Sequence, residues 1–152
     1  MNKTRALRSK SAVSAAAVLL SCAGIGLATA TPAAAYAGYC NAEVTKKRPA
    51  AGGGSYKAYL PAHGGNIDCY MNQGAESKAV KALQNNLNWC YDRKLEVDGI
   101  FGKDTKDALE FAQNEEKIGK DGKYGEQSRT HLKWRWYENR YIWYCGELRN
   151  GA

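Results

Sequence analysis

The stretch that decides the fold of this 152-residue chain is Asp98-Gly99-Ile100-Phe101-Gly102. It returns 23 residues later as Asp121-Gly122-Lys123-Tyr124-Gly125. In each copy the Asp-Gly pair predicts a turn, the aromatic residue can fold back onto a core, and the last glycine is free to take a positive φ before a helix begins. The two copies predict that one turn-plus-helix unit is built twice.

Matching residues follow each turn. Thr105 and Ser128 fall at the same place in the first helical turn, where a hydroxyl can bond unpaired backbone N–H groups, and Leu109 and Leu132 lie one turn on. Helices are predicted over residues 76–89 and 103–116, and a third is predicted to begin near residue 126. The predicted inward faces carry Val80, Leu83, Leu87 and Tyr91 in the first helix and Thr105, Ala108, Leu109 and Ala112 in the second, with Val97, Ile100, Phe101, Ile118 and Tyr124 filling the turns.

The segment before the helices is turn-rich. Residues 56–60 alternate and predict a short strand, whereas Lys46-Lys47-Arg48 beside a glycine-rich loop indicates a solvated linker. Such an arm cannot bury a core alone, so we expect it to lie on the helical part.

The C-terminal region is rich in aromatic residues, with six among the eleven residues 134–144. If the third helix continues, Trp136 shares a face with Leu132, while Trp134, Tyr137 and Tyr141 lie together on the opposite face. That face is either a stacking platform for sugars, with Arg135 and Arg140 bonding hydroxyls or carboxylates, or a surface covered by the arm. The second interpretation is favoured, because large bare aromatic patches are uncommon on soluble monomers.

Residues 1–37 have the pattern of an export signal, because four basic residues precede an uncharged, Ala-rich run and Ala35-Tyr36-Ala37 offers a cleavage site. A retained membrane anchor and a lipoprotein modified at Cys22 are less favoured alternatives. These 37 residues hold four of the 22 basic residues and none of the 15 acidic ones, which leaves the remaining 115 residues with a net charge of +3. So small an excess does not predict nucleic-acid binding.

Four cysteines remain after the signal: Cys40, Cys69, Cys90 and Cys145. An even set in an exported protein predicts two disulfides, and zinc is disfavoured because no Cys-x-x-Cys pair occurs. Three pairings are possible. The favoured one joins Cys69 to Cys90 and Cys40 to Cys145.

Catalytic chemistry is not predicted. His63 and His131 have no evident partners, and the Asp-Gly context indicates that Asp98 and Asp121 bond nearby backbone N–H groups rather than act as a carboxylate pair. Neither an enzyme activity nor a cofactor nor a metal is therefore expected.

Residues 79–88 and both Asp-Gly units, taken in order, resemble the peptidoglycan-binding domain 1 family over about residues 74–134. The sequence departs from the family pattern at Ala112, where a Phe is usual and Phe111 stands one step earlier, and at Trp89-Cys90, where a Gly often closes the first helix. The resemblance implies a mainly α fold: a compact three-helix bundle, here with an irregular, disulfide-tethered N-terminal arm. The expected organisation is signal peptide 1–37, arm 38–73, helical domain 74–145 and tail 146–152.

The resemblance also implies a secreted, non-catalytic module that binds peptidoglycan through its glycan or stem peptide. The candidate ligand-binding residues are Tyr124, Trp134, Arg135 and Tyr137, where the family pattern and the aromatic excess overlap. The alternative is a secreted interaction or inhibitor module that uses the same fold for a wall-associated protein. Neither nucleic acid nor, after signal cleavage, a membrane is an expected partner.

Overall fold

The computed structural model describes residues 38–148, so the expectations for the signal sequence, its cleavage site and Cys22 lie outside the described residues. Within this range no helix is long and apolar enough to cross a membrane. The elements in chain order are β1 (Ala42–Pro49), β2 (Ser55–Ala62), α1 (Lys78–Cys90), α2 (Lys103–Glu115), α3 (Glu126–His131), β3 (Lys133–Tyr137) and β4 (Trp143–Glu147).

The expectation of a mainly α three-helix bundle is wrong. Four of these elements form an antiparallel sheet in the order β1-β2-β3-β4, which combines both ends of the described chain. Helix α1 packs against β2 and β3. The fold is therefore a helical unit joined to a sheet built from residues on either side of it.

The N-terminal arm is a hairpin and not irregular. Each of the eight residues of β1 pairs with one in β2, and the predicted strand at residues 56–60 is confirmed as the middle of β2. Lys46-Lys47-Arg48 lies within β1 instead of a linker. The Arg48 guanidinium lies 3.7 Å from the centroid of the Trp136 ring, so Arg48 contributes to packing.

The expected continuation of the third helix is also wrong. Helix α3 ends at His131, and Leu132 has extended backbone angles (φ −63°, ψ 142°). Trp134 and Trp136, two residues apart, are both fully buried. A strand places residues at this spacing on one face, whereas a helix would separate them, so burial of both indoles requires β3.

Helices α1 and α2 and their inward faces are confirmed. All eight residues expected to face inward in these two helices and at the end of α1 are buried. Of the residues expected to fill the turns, Phe101 and Tyr124 are buried, but Ile100 is exposed.

A buried glutamine organises each copy of the repeat. The Gln84 side-chain amide donates to Asp98 Oδ1 (2.8 Å) and Thr105 Oγ1 (3.1 Å), and its oxygen accepts from the Gly99 N–H (2.9 Å). Gln113 makes the equivalent bonds to Asp121 Oδ1 (2.9 Å), Ser128 Oγ (3.1 Å) and the Gly122 N–H (2.8 Å). The repeat is thus a repeated hydrogen-bond network as well as a repeated turn.

The expected role of the two aspartates is confirmed, and that of the two hydroxyls is wrong. Asp98 accepts from the Ile100 N–H (2.8 Å), and this bond, followed by the bond from Gln84, lowers the pKa of the Asp98 carboxyl. Thr105 donates to the Ile100 carbonyl (3.3 Å) instead of accepting from a helical N–H. Ser128 likewise donates to the carbonyl of Lys123 (3.1 Å).

Gly102 and Gly125 do not have the expected positive φ, which two other glycines of the repeat have instead. Gly102 has φ −81° and Gly125 has φ −159°, whereas Gly99 (φ +88°) and Gly122 (φ +63°) are left-handed. In each copy the glycine that directly follows the aspartate makes the turn, because its N–H must point at the buried glutamine.

Gly99→Ala is expected to lower the free energy of unfolding by roughly 1–3 kcal/mol, because a Cβ there would be strained and would lie 3.0 Å from the Ser77 carbonyl oxygen. Gly102→Ala is the matched control, since its Cβ would meet nothing within 4 Å. Denaturant unfolding of both variants measures the difference. Equal losses would show that the left-handed turn does not lie at Gly99.

Both disulfides are present, but the favoured pairing is wrong. Cys40 bonds Cys69 and Cys90 bonds Cys145. The first joins the two ends of the N-terminal segment, next to a β-bridge between Tyr39 and Tyr70. The second joins the end of α1 to β4.

Candidate functional site

The outer face of the sheet carries a group of aromatic residues around one arginine. Successive side chains of β3 point to opposite faces of the sheet. Trp134 and Trp136 are buried on one face, while Arg135 and Tyr137 lie on the other and are half-buried. We call this group the Arg135 platform. It consists of Arg135 and the rings of Tyr59, Trp89, Tyr137 and Trp143, which come from β2, α1, β3 and β4.

Arg135 is held between these rings. Its guanidinium carbon lies 3.6 Å from the ring centroid of Trp89, 5.2 Å from that of Tyr137 and 5.7 Å from that of Trp143. These distances are typical of cation–π contacts. Its backbone is also fixed, because the Arg135 N–H donates to Asn86 Oδ1 (2.9 Å).

The guanidinium has no anionic partner. No carboxylate within residues 38–148 forms an ion pair with Arg135, and the buried Nε has no hydrogen-bond acceptor. Burial lowers the pKa of Arg135, but from a value so high that the group stays charged at neutral pH. The site therefore presents a positive charge with unused donors.

The rings around Arg135 contact one another in pairs. Trp89 and Trp143 meet edge to face with centroids 5.2 Å apart, beside the Cys90–Cys145 disulfide. Tyr59 and Tyr137 lie 5.9 Å apart. Burial, followed by a hydrogen bond with Tyr59, raises the pKa of Tyr137 from its ordinary value to about 12, and its hydroxyl is protonated at neutral pH.

A small cavity of about 170 Å³ opens beside the platform. Its polar lining includes Glu43, Asn85 and Asn86, and Arg135 and Tyr137 form one side. A group that enters this cavity would meet amide, carboxylate and guanidinium groups beside an aromatic surface.

Of the four residues predicted to bind ligand, the structure brings Arg135 and Tyr137 together and places the other two in the core. Tyr124 is 1% exposed and Trp134 is 0% exposed. Their rings meet edge to face at 6.2 Å, and Trp134 Nε1 donates to the Arg129 carbonyl (2.9 Å). Burial raises the pKa of Tyr124, whose hydroxyl has no hydrogen-bond partner among the described residues.

Sequence reasoning missed three members of the platform: Tyr59, Trp89 and Trp143. A signal existed for each of the first two. Tyr59 alternates with the buried Ala58 and Leu60, and Trp89-Cys90 stands at the end of α1, where a Gly often closes the helix in the resembled family. Each is more than 40% exposed, a large fraction for so large a ring.

A wider groove of about 550 Å³ runs along the second Asp-Gly turn. Polar side chains such as Asn72, Lys123, Glu126 and Gln127 line it. Helix α3 beside it has only six residues, and the exposed ring of Tyr70, which packs on Tyr39 with centroids 4.3 Å apart, lines the groove.

Neither histidine belongs to the platform. His63 Nδ1 is 2.8 Å from the Tyr39 carbonyl oxygen, and His131 Nδ1 is 3.0 Å from that of Gln127. Within residues 38–148 no three His, Cys, Asp or Glu side chains are grouped so that they could hold a metal ion.

Residues 76–132 match the family model described as "Putative peptidoglycan binding domain". Comparisons with curated proteins and with solved structures find no match. The matched segment covers α1, α2 and α3 and stops immediately before β3. The four strands, and with them every platform residue except Trp89, lie outside it.

Proposed function

Because residues 76–132 form a domain of the peptidoglycan-binding domain 1 family, we propose that the protein is a secreted, non-catalytic module that binds peptidoglycan through the Arg135 platform. The family match supports peptidoglycan as the partner. The two disulfides are consistent with an oxidising compartment, which supports secretion.

The observation that carries the proposal is the unpartnered guanidinium of Arg135 among exposed rings. Peptidoglycan combines sugars, whose apolar faces stack on aromatic rings, with stem peptides that end in carboxylates. Arginine binds a carboxylate through two parallel hydrogen bonds, and the rings exclude water around them. The platform therefore matches both parts of this polymer.

The platform is shallow, so each contact with the polymer is weak. A wall offers the same repeating unit many times, and rebinding to neighbouring copies raises the apparent affinity without new contacts. Retention on a wall then follows from a site that would bind an isolated fragment poorly.

A second candidate function is capture of a wall-associated protein. The composition of the platform favours it, because Trp, Tyr and Arg supply most binding energy in protein interfaces. Co-sedimentation with purified sacculi distinguishes the two functions. Retention on protein-free sacculi supports peptidoglycan binding, whereas retention only before wall proteins are stripped supports a protein partner.

Arg135→Lys is expected to weaken binding to protein-free sacculi about tenfold, because lysine keeps the charge but loses the bidentate geometry, a difference of about 1.5 kcal/mol. The measurement is a binding isotherm from co-sedimentation of the oxidised, exported protein.

Arg93→Lys is the matched control, because Arg93 also stacks on an exposed ring, with its guanidinium carbon 3.8 Å from the Phe111 centroid. It should bind as the unchanged protein does. Equal binding by both variants, with unchanged melting, would remove Arg135 from the binding site.

A further inference from the structure

One row of side chains crosses all four strands on the outer face of the sheet. The register pairs Lys47 with Lys57, Lys57 with Tyr137, and Tyr137 with Trp143. The row thus places two lysines at one end and two platform rings at the other. Neighbouring strands lie about 4.8 Å apart, so the row is roughly 14 Å long.

The two lysines at one end of this row repel each other. Residues directly opposite in an antiparallel pair have Cβ atoms about 4.5–5.5 Å apart, and like charges there are destabilising. Both side chains are exposed, and within residues 38–148 neither ammonium group has an ion-pair or hydrogen-bond partner. The nearest acidic residue on the same face of β1 is Glu43, four residues from Lys47.

Protection of the sheet edge does not account for the pair. Lysine is common on edge strands because it prevents pairing with another chain. Strand β1 is an edge, so this explains Lys47, but Lys57 lies on β2, which has a neighbour on each side.

We propose that Lys47 and Lys57 form a second anion subsite, which binds a carboxylate or phosphate of the same wall polymer whose sugar stacks on Tyr137 and Trp143. This inference rests on the proposed function and specifies its ligand: a sugar-bearing chain with an anionic group one to two strand spacings from the stacked ring. The anion relieves the repulsion between the lysines. Stem-peptide carboxylates and phosphates of wall-linked polymers share this chemistry.

The test compares the double variant K47Q/K57Q with the matched double variant K78Q/K120Q, which removes two exposed lysines elsewhere and changes net charge equally. Binding to protein-free sacculi is measured at 50 mM and 1 M NaCl. We expect K47Q/K57Q to bind on the order of fivefold more weakly at 50 mM, as two exposed ion pairs allow. At 1 M the difference should vanish, because the screening length falls to about 3 Å.

Two further preparations identify the source of the anion. Sacculi treated with hydrofluoric acid lose their phosphate polymers, and sacculi treated with carbodiimide and ethanolamine lose their free carboxylates. If one treatment abolishes the difference in binding between the unchanged protein and K47Q/K57Q, the result supports the subsite. The group that this treatment removes is then its ligand.

Equal binding by K47Q/K57Q and K78Q/K120Q, with Arg135→Lys still weakened, overturns the second subsite and leaves the proposed function standing. Self-association of K47Q/K57Q in sedimentation velocity, without a change in binding, would assign the lysines to edge protection. Failure of the unchanged protein to bind any of the sacculi contradicts the proposed function itself.

Discussion

Trp134→Ala is expected to lower the free energy of unfolding by about 3–5 kcal/mol, a large part of the roughly 5–15 kcal/mol typical of a folded domain. The Trp134 indole is fully buried, packs edge to face on Tyr124 and donates to the Arg129 carbonyl. Its removal leaves a large cavity between α3 and the sheet and a carbonyl without its donor. Calorimetry of the oxidised protein should show a greatly lowered or absent transition.

Trp134→Phe separates the two contributions of this side chain. Phenylalanine keeps most of the ring volume and loses only the indole N–H, so a smaller loss of about 1–3 kcal/mol is expected. A normally melting Trp134→Ala protein would mean that the indole is not in the core. Reduced wall retention by such a folded variant would restore Trp134 as a surface binding residue.

The helical part of the fold was predictable because its signals are local. Apolar spacing located α1 and α2 to within two residues, and the repeated Asp-Gly pairs located both turns. The sheet was not predictable in the same way. Strand β3 follows directly on a helix. Its partner in β2 lies 80 residues earlier, at Lys57 opposite Tyr137, and its other partner, β4, lies just beyond it, so no short window of sequence reveals the whole pairing.

The candidate site was predictable only in part, for the same reason. Arg135 and Tyr137 stand out in the aromatic C-terminal region. Trp134 shares a face with Tyr137 only if this segment is a helix, and it is a strand. Once β3 is a strand, its alternation moves Trp134 into the core and turns Arg135 outward. Tyr59 and Trp89 join the site through the sheet order and the packing of α1.

The family match covers the helices, and most of the proposed binding platform lies on the strands outside the match. The matched helices hold α1, which supplies Asn86 to the backbone of β3 and Trp89 to the platform. The strands outside the match supply the remaining rings and Arg135 itself. We therefore expect binding specificity to depend on the sheet, and the helical segment to serve as its support.

Gln113→Leu is expected to lower the free energy of unfolding by about 3 kcal/mol, because it leaves several buried groups without partners. The Gln113 amide donates to three acceptors, and its oxygen accepts from the N–H groups of Asp121 (3.1 Å) and Gly122 (2.8 Å). Leucine fills the same space but satisfies none of them. Gln73→Leu, at an exposed position, is the control and should unfold as the unchanged protein does.

Gln113→Glu tests the same network through its pH dependence. The new carboxyl would face the Asp121 carboxylate and the Lys123 carbonyl oxygen, which both disfavour its charged form, so its pKa in the folded protein is raised above the unfolded value of about 4.3. A raised folded pKa contributes stability that is present below the unfolded value and lost as pH rises through the folded one. The stability difference between Gln113→Glu and the unchanged protein should therefore be small near pH 4 and grow towards pH 8, measured by denaturant unfolding across that range. A difference that does not vary with pH would contradict a donor role for the Gln113 amide, because protonation of the glutamate is what restores that donor.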